Sequence, residues 1–187
     1  IGRMENQEQI LQYTIPQLLR WRVQKTGDKV ALREKDFGYW VNYTWGQYYQ
    51  HVRRATLGLE KLGLKKEGKI ALIGDNIPEM LFMAIGAQSL GAIAAGVYQT
   101  TLPDEIGQLL GYMDIEMVFC DDQEQVDKIM EVRDKLPQIK KVIYEDPRGM
   151  REYKSDDWFM SIEDLYKLGE EAHQNNPSHF ESLVDQG

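Results

Sequence analysis

Apolar positions along this chain cluster in short unbroken runs separated by longer segments with helical spacing. The run KIALIG (69–74) ends in Gly and has the pattern of a strand buried on both faces. AIAAGVY (92–98) is a second apolar strand of the same kind. Between them Leu81, Phe82, Ile85 and Leu90 recur at helical spacing, with Gly91 as a C-terminal stop. Asn76 is the expected cap, Pro78 suits the first turn and Glu79 can reach back as in a capping box. Strand, helix and strand of this length predict a right-handed parallel βαβ crossover.

The flanking segments repeat the alternation. Thr14-Ile15-Pro16-Gln17 predicts a helix start, with Ile15, Leu18, Leu19 and Val23 on one face and Gly27 at the end. Segments 30–35 and 39–43 predict a hairpin around Asp36-Phe37-Gly38. Thr44-Trp45-Gly46-Gln47 is a capping-box pattern, and the helix after it ends at Gly63. Downstream, a helix over 104–113, a strand over 116–120, a charged helix over 122–136 and a strand over 140–144 follow in order. Segment 145–157 is polar and irregular, and Ser161 and Ser178 open further helices. The order predicts one α/β domain over 1–187, a mainly parallel sheet flanked by helices on both faces, with 146–158 as an irregular surface loop.

Composition narrows the function classes. A net charge of −8 argues against a nucleic-acid partner, because phosphate-backbone binding needs a positive footprint. The single cysteine, Cys120, excludes an intrachain disulfide and fits a reducing cytosol, so a cytoplasmic location is expected. Arg20, Trp21, Arg22 and Lys25 form a basic, aromatic face; it reads either as a solvated face or as a contact with a partner or a membrane surface.

Ligands of an open parallel sheet sit at the carboxyl ends of its strands. Those ends are Gly74-Asp75-Asn76, Tyr98-Gln99-Thr100-Thr101, Asp121-Asp122 and Glu145-Asp146. Acidic ends repel phosphate unless a metal intervenes. Only the second end suits a polar uncharged contact, with ordinary turn chemistry as the competing reading. Asp121-Asp122 has two readings as well: a divalent-cation pair of the kind found in signalling receiver domains, or acids favoured by a helix N-terminus. No G-x-G-x-x-G, no G-x-x-x-x-G-K-[ST] and no G-x-S-x-G occurs. His51, His173 and His179 lack metal-ligand spacing. Gly107-Gln108-Leu109-Leu110-Gly111 is a GxxxG match that signifies close helix packing at most. The residues by themselves contain no catalytic constellation, no cofactor site and no metal site.

The ordered series, in contrast, resembles a family. Gly63-Leu64 before Gly68-Lys69, then Asn76-Ile77-Pro78-Glu79, Gly91-Ala92, and Tyr98 with Thr100-Thr101 look like the N-terminal part of the acyl-adenylate-forming, AMP-binding enzymes. The long-chain fatty-acid–CoA ligases (acyl-CoA synthetases) are the most similar branch. Leu136-Pro137-Gln138-Ile139-Lys140-Lys141-Val142-Ile143 and Ser161-Ile162-Glu163-Asp164-Leu165 fit that branch too. The resemblance implies the N-terminal subdomain of that fold and a parent enzyme that uses a fatty acid, ATP, Mg²⁺ and coenzyme A. It also implies that the family's phosphate loop lies beyond Gly187, so that this N-terminal fragment is inactive alone. Tyr98, Thr100 and Thr101 are the candidates it offers for residues approaching the acyl or coenzyme A site. A peripheral membrane contact and homo-oligomerisation, including association through surface that the missing part would cover, are further expectations. The alternative is a stand-alone α/β binding or receiver-like regulatory module using Asp121-Asp122.

Overall fold

The fold is described from a computed structural model covering residues 11–186. Helix α1 (Ile15–Thr26) leads into the hairpin β1 (Val30–Asp36) and β2 (Tyr39–Thr44). Then come α2 (Trp45–Lys61), β3 (Lys69–Ile73), α3 (Pro78–Ser89), β4 (Ile93–Val97), α4 (Pro103–Tyr112), β5 (Met117–Cys120) and α5 (Gln123–Glu131). The chain finishes with β6 (Lys141–Tyr144), β7 (Phe159–Ser161), α6 (Ile162–Asn175) and α7 (His179–Gln186). The five later strands form one parallel sheet in the order β4-β3-β5-β6-β7.

Alternation along the central strands builds two cores. Ile70 and Leu72 of β3, Met117 and Phe119 of β5 and Ile143 of β6 face one side, where Ala55, Leu59, Met83, Ala87 and Leu165 from α2, α3 and α6 cover them. Ala71, Ile73, Val118, Cys120 and Val142 face the other, under Ile106, Leu110, Val126 and Ile129 of α4 and α5. Residues at i and i+2 share a face of a strand, so a strand apolar throughout requires helices on both sides. A third cluster joins Leu19 of α1, Tyr48 and Val52 of α2, Phe82 of α3 and Phe180 of α7. Burying each large apolar side chain of this kind contributes about 1.5–3 kcal/mol. Two glycines let α2 and α6 approach closely: a Cβ at Gly58 would lie 2.5 Å from the Leu165 carbonyl oxygen, and one at Gly169 would collide with the Arg54 carbonyl.

Local signals explain most boundaries. The Gln47 N–H donates to Thr44 Oγ1 at 3.2 Å while the Thr44 N–H donates to Gln47 Oε1 at 2.8 Å, a reciprocal cap on α2. The hairpin turns on Phe37 and Gly38, both with positive φ, as a two-residue turn matched to the strand twist requires. Gly63 and Gly91 follow α2 and α3 with φ of +94° and +69°. In the GxxxG match only Gly107 is a contact, 3.3 Å from Val132 Cβ at its virtual Cβ; nothing faces Gly111 within 4 Å.

Four expectations need correction. The cap of α3 is Ile77, not Asn76, because the residue before Pro78 is pushed into extended backbone and the helix cannot begin earlier. Strand β4 is the edge of the sheet and not a buried strand: Ile93 is 52% exposed and Gly96 is open, leaving only Val97 buried. The charged helix over 122–136 stops at Glu131, where Val132 leaves helical geometry, and continues as a 3₁₀ turn over Arg133–Lys135. Strand β7 was not expected; three residues are too few to display a period, and its pairing with β6 comes from tertiary contact.

Candidate functional site

The carboxyl ends of β3, β4, β5 and β6 come together as one edge, and the backbone ladder carries past the strands into it. The Asp121 N–H donates to the Ile73 carbonyl at 3.2 Å, the Glu145 N–H to Cys120 at 3.0 Å, and the Asp146 N–H to Asp121 at 2.9 Å. Gly74, with φ of +152°, leaves space that the Asp121 carboxylate fills; a Cβ there would collide with it. Asp121 Oδ2 accepts from the Asp75 N–H at 2.6 Å. Gln99 Nε2 donates to Asp75 Oδ1 at 2.6 Å, and Lys128 Nζ donates to the Gln99 carbonyl at 2.5 Å. Asp121, Asp75, Gln99 and Lys128 therefore tie β5, β3, β4 and α5 into one polar chain.

Electrostatics at this edge are dominated by carboxylates. Burial pushes Glu145 up to about 7, with Glu79, Asp146, Glu34 and Asp121 adding like charge. Burial likewise raises Asp121, against the opposing effect of the Asp75 N–H. Asp146 lies below the usual range because Arg148 Nε donates to it at 2.6 Å. Glu34 belongs to β1, so the hairpin overhangs this edge and closes a cleft of about 550 Å³ with Asp75, Ile77 and Leu81 on its far wall.

The carboxylates of Asp121 and Asp122 make separate local contacts. Asp122 Oδ1 accepts from the Gln125 N–H at 3.1 Å and caps α5, while Asp121 is enclosed by Gly74. Among the described residues no three His, Cys, Asp or Glu side chains converge as a metal site. The receiver-like alternative loses its support with this geometry. Cys120 is fully buried and desolvation raises its thiol well above the ordinary value, which removes it as a nucleophile. His51 stacks on Phe82 with centroids 4.6 Å apart and is a packed side chain. His173 accepts from Arg53 at 3.1 Å, and His179 meets Glu60 at 2.8 Å.

The three candidate substrate residues lie on the turn after β4. The Thr101 N–H donates to the Tyr98 carbonyl at 3.0 Å, closing that turn. Tyr98 is 86% exposed, beside a concavity of about 350 Å³ bordered by Gly74 and Gly96. Thr100 is exposed. Thr101 borders a different depression of about 660 Å³, with Glu105, Gln108 and Tyr112. Sequence reasoning missed the enclosure of Asp121, the Gln99–Lys128 link and the crowding around Glu145. The readable signal was a Gly directly after a strand, opposite an acid after its neighbour.

An open parallel α/β sheet with its loops gathered at the carboxyl edge defines the class of this domain. Within that class the chain belongs to the AMP-binding enzyme family, whose profile matches residues 19–180. It is 35% identical to the long-chain-fatty-acid–CoA ligase ACSBG1 of Homo sapiens over 138 residues, 73% of this chain and 19% of the relative. The long-chain-fatty-acid–CoA ligase ACSBG2 of Xenopus laevis is 34% identical over 130 residues, 70% of this chain and 18% of the relative. The chain thus spans about one fifth of the length of the curated relatives it matches. The same fold appears in the anthranilate CoA ligase AuaEII bound to anthranoyl-AMP, with a TM-score of 0.70 at 20% identity, over 83% of this chain and 27% of that one. It appears again in the N-terminal domain of FACL13 from Mycobacterium tuberculosis, with a TM-score of 0.68 at 19% identity, over 84% and 35%.

Proposed function

We propose that the native protein containing this chain is an ATP-dependent long-chain fatty-acid–CoA ligase, and that these residues are part of its scaffold. The observation that carries the reading is the family match over 19–180 together with 35% identity to a relative bearing that activity in its name. In the reaction a fatty carboxylate oxygen bonds to the α-phosphorus of ATP as pyrophosphate leaves. The thiol of coenzyme A then bonds to the acyl carbon as AMP leaves. Positioning and charge stabilisation must supply the acceleration.

This chain's own residues do not fit the nucleotide phosphates or Mg²⁺. Its loop edge carries Asp75, Asp121, Asp122, Glu145 and Asp146, and the described residues lack a cation-binding cluster. The nucleotide machinery therefore falls to polypeptide outside these 187 residues. What this chain supplies is the turn Tyr98–Thr101, where the Tyr98 phenol and the Thr101 hydroxyl border two solvent-open concavities suited to an uncharged polar contact with the acyl or coenzyme A part of a ligand. A cytoplasmic setting fits the single buried thiol of Cys120.

The test is fatty-acid-dependent ATP–pyrophosphate exchange, run on the native full-length protein and on the isolated 187-residue chain. Exchange by the full-length protein alone is expected. Exchange by neither, with every acid in a panel of chain lengths, would overturn the reading.

A further inference from the structure

The basic face of α1 divides in two. Arg20 turns toward α7, where it meets Glu181 at 3.2 Å and Asp185 at 2.5 Å. Arg22 turns the other way and lies over the ring of Trp45, its guanidinium carbon 5.3 Å from the centroid. That contact puts the guanidinium at the rim of a groove of about 410 Å³ between α1, α2 and α3. Its walls are Ile15, Leu18 and Leu19 from α1, Trp45 and Tyr48 from α2, and Ile85 from α3. Among the described residues Arg22 is the one charged residue that lines it.

The chemistry of this groove is that of an amphiphile site. Its volume falls in the range of about 300–1,000 Å³ typical of small-molecule sites, and its walls offer an alkyl chain contact on three sides. Ile15 and Leu18 remain substantially exposed although they sit in the groove wall, so their apolar surface is open to a ligand. Burial pushes the Tyr48 phenol up to about 12, so no negative charge develops in the wall at working pH. Among the described residues no carboxylate pairs with the Arg22 guanidinium. A guanidinium is a planar multiple donor that suits a carboxylate head, and Trp45 holds it in place.

We propose that the α1–α2–α3 groove binds one long-chain alkyl carboxylate, with the tail between Leu18 and Ile85 and the carboxylate on Arg22. The inference stands on the groove's own chemistry and does not need the proposed activity. The experiment uses the native full-length protein without ATP or coenzyme A, and a palmitate carrying a photoactivatable diazirine on its tail. Cross-linked sites are mapped by peptide mass spectrometry. The expected result is saturable labelling of the peptides holding Leu18, Trp45 or Ile85, competed by palmitate. In Arg22→Glu that labelling falls about tenfold, the scale of one lost charge-assisted hydrogen bond. In Arg22→Lys, which keeps the charge but loses the planar fork, it falls less than in Arg22→Glu.

Several results would overturn the proposal. One is absence of label from those peptides at saturating probe, and another is equal labelling by the corresponding fatty alcohol. Labelling that requires vesicles of phosphatidylcholine and phosphatidylglycerol would assign the face to a membrane. Labelling that appears only after residues 1–10 are removed would assign the groove to that segment. Exchange activity is read separately on the same preparation, so failure of the groove and failure of the ligase reading are distinguishable.

Discussion

Gly74 and Asp121 occupy one space: the missing side chain of the first is the seat of the second's carboxylate, which the Asp75 N–H then holds at 2.6 Å. The β3 loop and the β5 loop are locked together at this point. Alanine at Gly74 meets both a collision and a positive φ, and the expected loss is about 2–4 kcal/mol in denaturant unfolding. Gly63 is the control. It has φ of +94° but nothing within 4 Å, so Gly63→Ala costs only the backbone term, about 1–2 kcal/mol. Equal losses at the two sites would refute the shared-space account.

Helices α2 and α6 depend on their two notches. Gly58→Ala and Gly169→Ala each push a methyl against main chain that cannot yield easily. Each is expected to lower stability by about 2–4 kcal/mol. Gly111→Ala, in the open position of α4, is expected to be neutral or to stabilise by about 0.5–1 kcal/mol. Thermal unfolding of the three variants side by side checks the order.

Glu145 makes stability depend on pH in an unusual direction. Its carboxyl titrates near 4.5 when unfolded and about 7 in the fold, chiefly through burial. Between those values the folded protein holds a proton the unfolded chain has released. Its contribution is therefore fully present below 4.5 and is lost as pH rises through 7. Glu145→Gln is expected to flatten this limb and to gain about 1 kcal/mol at pH 8, a figure reduced for partial solvent screening. A parallel pH profile for the variant and the parent would contradict it.

His51 behaves oppositely. Burial, and secondarily Arg54, lowers its pKa, so the neutral ring stacked on Phe82 is the stable form. Stability falls as pH drops below the ordinary histidine value of about 6.5. His51→Phe is expected to keep the stacking and abolish this loss, measured as unfolding midpoint between pH 7 and 5.

The edge strand β4 offers unpaired backbone beside exposed Ile93, Leu102, Leu109 and Tyr112. Exposed apolar edges promote association. The isolated chain is expected to sediment with a concentration-dependent mass, and Ile93→Lys to reduce that dependence. A monodisperse monomer at high concentration for the parent chain would count against it.

Sequence alone determined the α/β class, the positions of most helices and strands, the hairpin, the capping box at Thr44 and the family. These rest on local chemistry: unbroken apolar runs, Thr-x-x-Gln caps and glycines at positive φ act within a few residues of where they are written. The tertiary structure alone decided that β4 is an edge, that Ile77 replaces Asn76 as the cap, that β7 exists, and that Arg20 and Arg22 part company. It alone decided that Asp121 is enclosed and that four acids crowd Glu145. Sheet order and carboxylate crowding are set by contacts between residues far apart in the chain. A buried strand and an edge strand of the same apolar composition read alike until their neighbours are placed.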